Sequence, residues 1–318
     1  MKTPGRREFI QTATLAATGA SLFSCSREKA PPQPEPFKGI VDVHQHVGYL
    51  DRLDEQLIAH QELMGITQTV LLPSATAVSL PSTHDGKSNG LAARARGNEA
   101  CMRIAKAHPS HYAFFANEVP DLPTARKELE KYLKQGAIGI GEQKFAVDCD
   151  SKHSELIAAI AREFDVPVLI HFQHNSYNLH FERFHKILAK FPSVNFIGHA
   201  QTWWGNIDQK HEQAVMYPKG PVTPGGLTDR YLADYPNMFG DLSAGSGRNS
   251  LTRDEDHARA FLKRHQDKLL FGSDCPDRFG QGEQCIGANT LDLLRRLIQD
   301  ASTLEKILGR NARGIMRL

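Results

Sequence analysis

The sequence predicts a (β/α)8 barrel, on three observations. Eight apolar runs bounded by turn residues recur after residue 39, and nearly all are followed by an amphipathic segment of helix length. The chain has 318 residues, enough for a barrel of about 250 residues plus a leader. The first run leads into "HQHVGYLDR" and not into a Gly-rich phosphate loop, which argues against an open doubly wound sheet.

The elements are read in chain order. Residues 1–25 form an export signal: Arg6-Arg7, then Phe9-Ile10 and a short apolar, small-residue stretch, the order of a twin-arginine leader. Its apolar part is too short for a membrane span, which needs about 20 residues. Leu22-Phe23-Ser24-Cys25 resembles a lipoprotein cleavage box with Cys25 as the acylated residue, so lipid on Cys25 is the one membrane contact expected. Localisation would be periplasmic, or anchored to the envelope of a bacterium. Residues 26–38 form a Pro-rich tether. The barrel occupies 39–318.

Within it, "GIVDVH", "QTVLLP", "YAFFANEV", "AIGIGEQKF", "VPVLIHF", "SVNFIGHA", "NMFGDLSAG" and "KLLFGSDCP" read as strands. The segments between them read as helices, for example "RLDEQLIAHQELMG", "HSELIAAIAREFD" and "RDEDHARAFLKRHQD". The Pro/Gly-rich stretch from Trp203 to Arg230 reads as an extended loop over the barrel mouth. Composition is that of an ordinary globular chain, 40% hydrophobic and 23% charged. With a net charge of +2, no field recruits nucleic acid, and none is expected as a partner. Apart from Cys25, the cysteines Cys101, Cys149, Cys275 and Cys285 match no zinc knuckle and no CxxC motif.

The ends of the strands carry the chemistry. On a strand, alternate residues share a face, so Ile40, Asp42, His44 and His46 are expected to point inward, with Val41 and Val43 on the other face. His171 ends the fifth run, His199 the sixth and Asp274 the eighth; Glu142 and Lys144 stand on the fourth. Barrel enzymes work at this C-terminal face, and imidazoles with carboxylates are the ligands of zinc and similar ions. Burying them together without a cation would be costly.

This set, D-x-H-x-H on the first strand, His171, His199 and Asp274, resembles the amidohydrolase superfamily, and most of all its amidohydrolase-related group of decarboxylases and lactonases. The resemblance runs from about Ile40 to Leu318. It implies an enzyme holding one or two divalent ions, zinc first, with manganese or cobalt as alternatives. His44, His46, His171 and Asp274 would hold the first ion, with Asp274 also the general base. His199 would orient water or substrate, or ligate a second ion. The "GIGEQKF" strand also resembles the TatD-like branch, where a Glu in the place of Glu142 bridges two metals. The open alternative pairs Glu142 with Lys144. Lys144 as a carbamylated bridge is redundant beside Glu142, and Asp42 is expected to hydrogen-bond nearby backbone or ligands. Trp203 and Trp204 could wall the substrate or pack beneath the loop. Arg248 and Arg278 could hold a substrate carboxylate, and Gln173 and His174 are further candidates. The expected reaction is hydrolysis of a lactone, amide or ester of a small carboxylated molecule. Non-oxidative decarboxylation, a TatD-like nuclease and a non-catalytic envelope binding protein are the alternatives. Both a monomer and a homo-oligomer remain open.

Overall fold

Alternation of strand and helix holds through the computed structural model, which describes residue 1 and residues 37–75 and 95–318. The export signal with Cys25, and most of the tether, lie outside the described residues. The strands are β1 (Ile40–Gln45), β2 (Ile66–Leu71), β3 (Tyr112–Phe114), β4 (Ile140–Gln143), β5 (Val168–His171), β6 (Phe196–His199), β7 (Met238–Asp241) and β8 (Leu269–Leu270). Helices α1 (Asp54–Leu63), α2 (Asn98–Ala107), α3 (Ala125–Leu133), α4 (Lys152–Phe164) and α5 (His185–Lys190) follow β1 to β5 in turn. After β6 come α6 (Ala200–Gly205) and α7 (Leu227–Asp234), and after β7 come α8 (Ala244–Thr252) and α9 (Glu255–Arg264). After β8, α10 (Ile286–Leu297), α11 (Ala301–Glu305) and α12 (Asn311–Ile315) finish the chain.

Local sequence explains the helices. In α9 the Asp254 side chain caps the start by accepting from the His257 amide at 3.1 Å. Glu255 and Asp256 occupy its first turn and Lys263 and Arg264 its last, as the helix dipole favours, while Ala258, Phe261 and Leu262 turn inward.

All strand pairs are parallel, in a three-stranded run β1-β2-β3 and a five-stranded run β4 to β8. Backbone hydrogen bonds stand at both seams. Ile138 N donates to Phe114 O and Ala116 N to Gly139 O, each at 2.9 Å; Val43 N donates to Phe271 O at 3.1 Å and Asp274 N to His44 O at 2.8 Å. The strands therefore follow one another around a (β/α)8 ring. Its interior is one apolar cluster holding Val41, Val43, Val70, Phe115, Leu169, Ile197, Phe239 and Leu270, with Ala312 and Met316 of the C-terminal segment. A larger cluster joins outward residues such as Ile40, Ile140, Val168 and Phe196 to the helices through Leu57, Leu129, Ile157 and Phe261.

Two of these placements correct the sequence reading. Val41 and Val43 belong to the interior, and Ile40 and Asp42 do not share it. The register explains why: Asp42 pairs with Thr69 but Gln45 with Leu71, so β1 carries one residue more than β2 over that span. Such a bulge inverts the alternation. It lets Val43 fill the interior while His44 and His46 still reach the mouth. A matching slip in β4, between Ile140 and Gln143, precedes the Glu142 site. The second correction concerns the stretch from Trp203 to Arg230. It begins inside α6 and ends inside α7, and only the residues between are irregular. Their Tyr217 hydroxyl accepts from Gln201 Nε2 at 3.2 Å, and a Cβ on Gly245 would touch the Tyr217 ring. The loop thus crosses the segments that follow β6 and β7.

Gly198 is glycine because the Trp203 indole lies against it: a Cβ there would meet the ring at 2.4 Å. Gly198→Ala is expected to cost about 1–3 kcal/mol through overpacking, seen as a lower urea midpoint at unchanged slope. An unchanged midpoint would show that the indole is free to retreat.

Candidate metal centre

The bulged end of β1 delivers two imidazoles whose tautomers are fixed by their partners. His44 Nδ1 donates to Asp241 Oδ2 at 2.7 Å, and His46 Nδ1 donates to the Leu72 carbonyl at 2.8 Å. Both acceptors lack a proton to give, so each neutral ring keeps its lone pair on Nε2. Those two Nε2 atoms face each other at 3.2 Å. His199, at the end of β6, repeats the pattern. Its Nδ1 meets Ser243 Oγ at 3.0 Å and Asp241 Oδ2 at 3.2 Å, leaving Nε2 3.7 Å from both Glu142 Oε1 and Asp274 Oδ2.

Carboxylates complete the cluster. Glu142 Oε2 lies 3.9 Å from His44 Nε2 and 3.8 Å from His46 Nε2. Asp274 Oδ1 lies 3.8 Å and 3.4 Å from the same two atoms. Both oxygens are buried, and neither has a hydrogen-bond donor. Glu142 Oε1 meets His171 Nδ1 at 2.5 Å. Burial resists charging His44, but the Asp274 and Asp241 carboxylates outweigh it and push its pKa up to about 10. Burial likewise opposes the charge on Asp241, yet His44 and His199 hold it well below the usual carboxylate range. His171 behaves otherwise: burial and Lys144 push it down to about 4, so it is neutral. The pocket calls for added positive charge, which either a proton on His44 or a divalent cation supplies.

The residues fit the cation. Ligands about 2.1 Å from a common ion at tetrahedral angles lie about 3.4 Å apart. The separations among His44 Nε2, His46 Nε2 and Asp274 Oδ1 are 3.2, 3.4 and 3.8 Å. His44, His46 and Glu142 form one compact donor group, His44, His199 and Asp274 another, and Glu142, His171 and His199 a third. The compact donor groups divide the ligand set implied by resemblance. His171 groups with Glu142 and His199, its neighbours on β4 and β6, while His44 and His46 group with Glu142 and lie near Asp274. No ion pair joins Glu142 to Lys144 among the described residues; the lysine ammonium instead lies 5.6 Å from the Tyr177 ring centre.

Backbone strain gathers at the same face. Ala200, Ala244 and Asp274, which follow β6, β7 and β8, adopt positive φ of 82°, 61° and 44°, each at a cost of order 1–3 kcal/mol for a residue with a Cβ. Gly272 admits the β8 backbone beside the cluster, since a Cβ there would meet Asp241 Oδ1 at 2.4 Å.

The remaining predicted residues distribute as follows. Trp203 and Trp204 do not wall a substrate: they are 0% and 2% exposed. Trp203 packs on Phe172 and Phe181, and Trp204 Nε1 donates to the Asp241 carbonyl at 2.9 Å. An adjacent pair on the short helix α6 is buried because that helix packs against the strands and α8. Arg248 and Arg278 are exposed, and no hydrogen bond or ion pair takes either to the cluster among the described residues. Gln173 Oε1 lies 3.0 Å from His171 Nε2, and with His174 this residue lines a cavity of about 280 Å³. Asp42 accepts from the amides of His44 and Ser273, at 3.0 and 2.9 Å, the backbone role expected of it. Sequence reasoning missed Asp241, Ser243 and Tyr49. The Tyr49 ring packs edge-on against His46, and the nearby Asp274 carboxylate, followed by burial, drives the Tyr49 pKa upward. "MFGD" offered a signal for Asp241, since it ends a strand as "LLFGSD" does.

Comparison with known proteins follows this geometry. The profile of a family described as "Amidohydrolase" matches residues 41–318. No curated protein matches. Among solved structures, 5-carboxyvanillate decarboxylase from Sphingomonas paucimobilis is 16% identical, with a TM-score of 0.54 over 85% of each chain. A probable 2-pyrone-4,6-dicarboxylic acid hydrolase from Acinetobacter baumannii is 14% identical, with a TM-score of 0.56 over 87% of this chain and 98% of that one. A 5-carboxyvanillate decarboxylase from Novosphingobium aromaticivorans, solved with manganese, is 17% identical, with a TM-score of 0.56 over 84% of this chain and 81% of that one. At such identities the likeness is one of fold.

Asp241→Asn would turn an amide NH2 or a neutral carbonyl toward two Nδ1–H groups. It should weaken at least one phase of divalent-ion binding by about 10–100-fold, measured by titration against a competing chelator. Unaltered binding would separate Asp241 from the centre.

Proposed function

The chain belongs to the amidohydrolase family, and on that footing we propose that it is a metal-dependent hydrolase opening a lactone, amide or ester of a small carboxylated substrate. One observation carries the reading: two buried carboxylate oxygens without donors, Glu142 Oε2 and Asp274 Oδ1, face imidazole nitrogens whose lone pairs are held inward. His44, His46, Asp274 and Glu142 would hold one divalent ion, and Glu142, His171 and His199 a second, with zinc the first choice and manganese or cobalt as alternatives. When bound, the ion supplies Lewis-acid polarisation of a carbonyl and a more acidic water.

The chain's own groups do the rest. Asp274 is the general base: its side chain keeps 14% exposure where that of Glu142 keeps 2%, so it is the carboxylate that water reaches. Tyr49, held protonated by the nearby Asp274 carboxylate, would be a phenol donor suited to a developing oxyanion. Asp241 and Ser243 keep His44 and His199 turned inward. Lys144, whose charge acts on both Glu142 and His171, makes the surroundings favourable to an anionic substrate. The cavity beside Gln173 and His174 suits a small one. The same donors would also serve non-oxidative decarboxylation of a carboxylated aromatic, the second reading. Twin-arginine export with lipid on Cys25 is part of the proposal; mass analysis of the envelope-associated protein should find an acylated Cys25 at its N-terminus.

Dialysis against chelator should abolish activity, and zinc, manganese or cobalt should restore it; full turnover by metal-free protein would refute the mechanism. Glu142→Gln should lower the divalent-metal content by at least one ion per chain in elemental analysis, and an unchanged content would remove Glu142 from the ligand set. A panel of lactones and carboxylated aromatics separates the reactions: ring-opened acid without carbon dioxide supports hydrolysis, and carbon dioxide release without ring opening supports the second reading.

A further inference from the structure

A second cluster of soft donors lies at the junction of α1, the loop after β8 and the start of α10. His60, Cys275 and Cys285 are each 0% exposed. Cys275 Sγ and Cys285 Sγ are 3.7 Å apart, and Cys285 Sγ is 3.4 Å from His60 Nε2. The three form a compact donor group. A disulfide would bring the sulfurs to about 2.05 Å. Ligands around a tetrahedral zinc, with Zn–S about 2.3 Å and Zn–N about 2.0–2.1 Å, stand about 3.7 Å apart for two sulfurs and about 3.5 Å apart for sulfur and nitrogen. The observed separations are those of the second case.

We propose that His60, Cys275 and Cys285 form a thiolate-bearing site for a divalent metal of the zinc class, separate from the His/carboxylate centre. Two thiolates balance the charge of a divalent ion, so the neutral assembly can be buried where a lone ion could not. Asp277 Oδ2, 3.9 Å from His60 Nε2, is a nearby oxygen; it already accepts from the amides of Phe279 and Gly280, at 2.9 and 2.7 Å. Gln61 Nε2 lies 3.3 Å from His60 Nδ1, and Gln61 Oε1 accepts from Thr69 Oγ1 at 3.0 Å. The two ends of that amide are interchangeable on these partners, so Gln61 Oε1 can accept from Nδ1–H, as metal-bound imidazoles require of their neighbours. The loop is moulded onto the cluster: Gly280, at φ +70°, runs so close that a Cβ would meet the His60 carbonyl at 2.3 Å. An ion here staples α1 to the segment that begins at Asp274, and so secures the carboxylate of the first centre from behind.

The test uses the full chain produced with cobalt in place of zinc. Thiolate ligands give cobalt a charge-transfer absorption in the near ultraviolet that imidazole and carboxylate ligands do not. The band is expected in the wild type, retained in His199→Ala and lost in Cys275→Ser. If Cys275→Ser does not fold, mercurial titration of the wild type decides, releasing about one ion per chain as the band decays. A cobalt-loaded wild type without the band, whether its thiols titrate freely or mass analysis finds them joined, overturns the site. Failure of the hydrolase reading would leave the band untouched, so the two results are distinguishable.

Discussion

Everything in this molecule is arranged around unshared electron pairs forced to confront one another. Three imidazoles have their outer nitrogens engaged, by Asp241, Ser243 and the Leu72 carbonyl. Their inner nitrogens and two unaccompanied carboxylate oxygens therefore crowd a buried space. Such an arrangement is unfavourable without a cation. It persists because the fold over-determines it from several strands at once, and a site assembled this way is preorganised for an ion.

The barrel achieves this with local departures from regularity. One extra residue in β1 reverses the alternation between Val43 and His44, so a strand fills the interior below and supplies imidazoles above. Glycine at 272 lets β8 approach His44 and Asp241. Left-handed backbone after β6, β7 and β8 re-aims the chain where His199, Ser243 and Asp274 must turn inward. Regular strands carry the stability, and their irregular ends carry the chemistry.

Most of the architecture was legible in the sequence because hydrophobic periodicity is a local property: the eight apolar runs coincide with the eight strands. His44, His46, His171, His199, Glu142 and Asp274 were legible as candidates because each is a polar residue at or near the end of an apolar run, and the structure gathers them into overlapping donor groups. What escaped depended on three-dimensional partners. The bulge in β1 is a mismatch with β2 and leaves no mark in β1 alone, so Asp42 was assigned the wrong face. Asp241 drew no attention in the sequence because only the folded chain brings His44 and His199 to share it. Of the two roles open to Trp203 and Trp204, the structure shows packing: Trp203 lies on Phe172 and Phe181, and Trp204 on Trp203 and Phe261. The grouping of His60 with Cys275 and Cys285 leaves no spacing motif, since His60 precedes Cys275 by more than half the chain.

The sharing of Asp241 between His44, His199 and Ser243 has a consequence for how substitutions combine. Groups that act through one common anchor do not contribute independently. Once that anchor is gone, further damage to either ring has little left to remove, and the double variant falls well short of the summed losses. Epistasis of this kind ties the two rings and the serine to their shared carboxylate as one energetic unit.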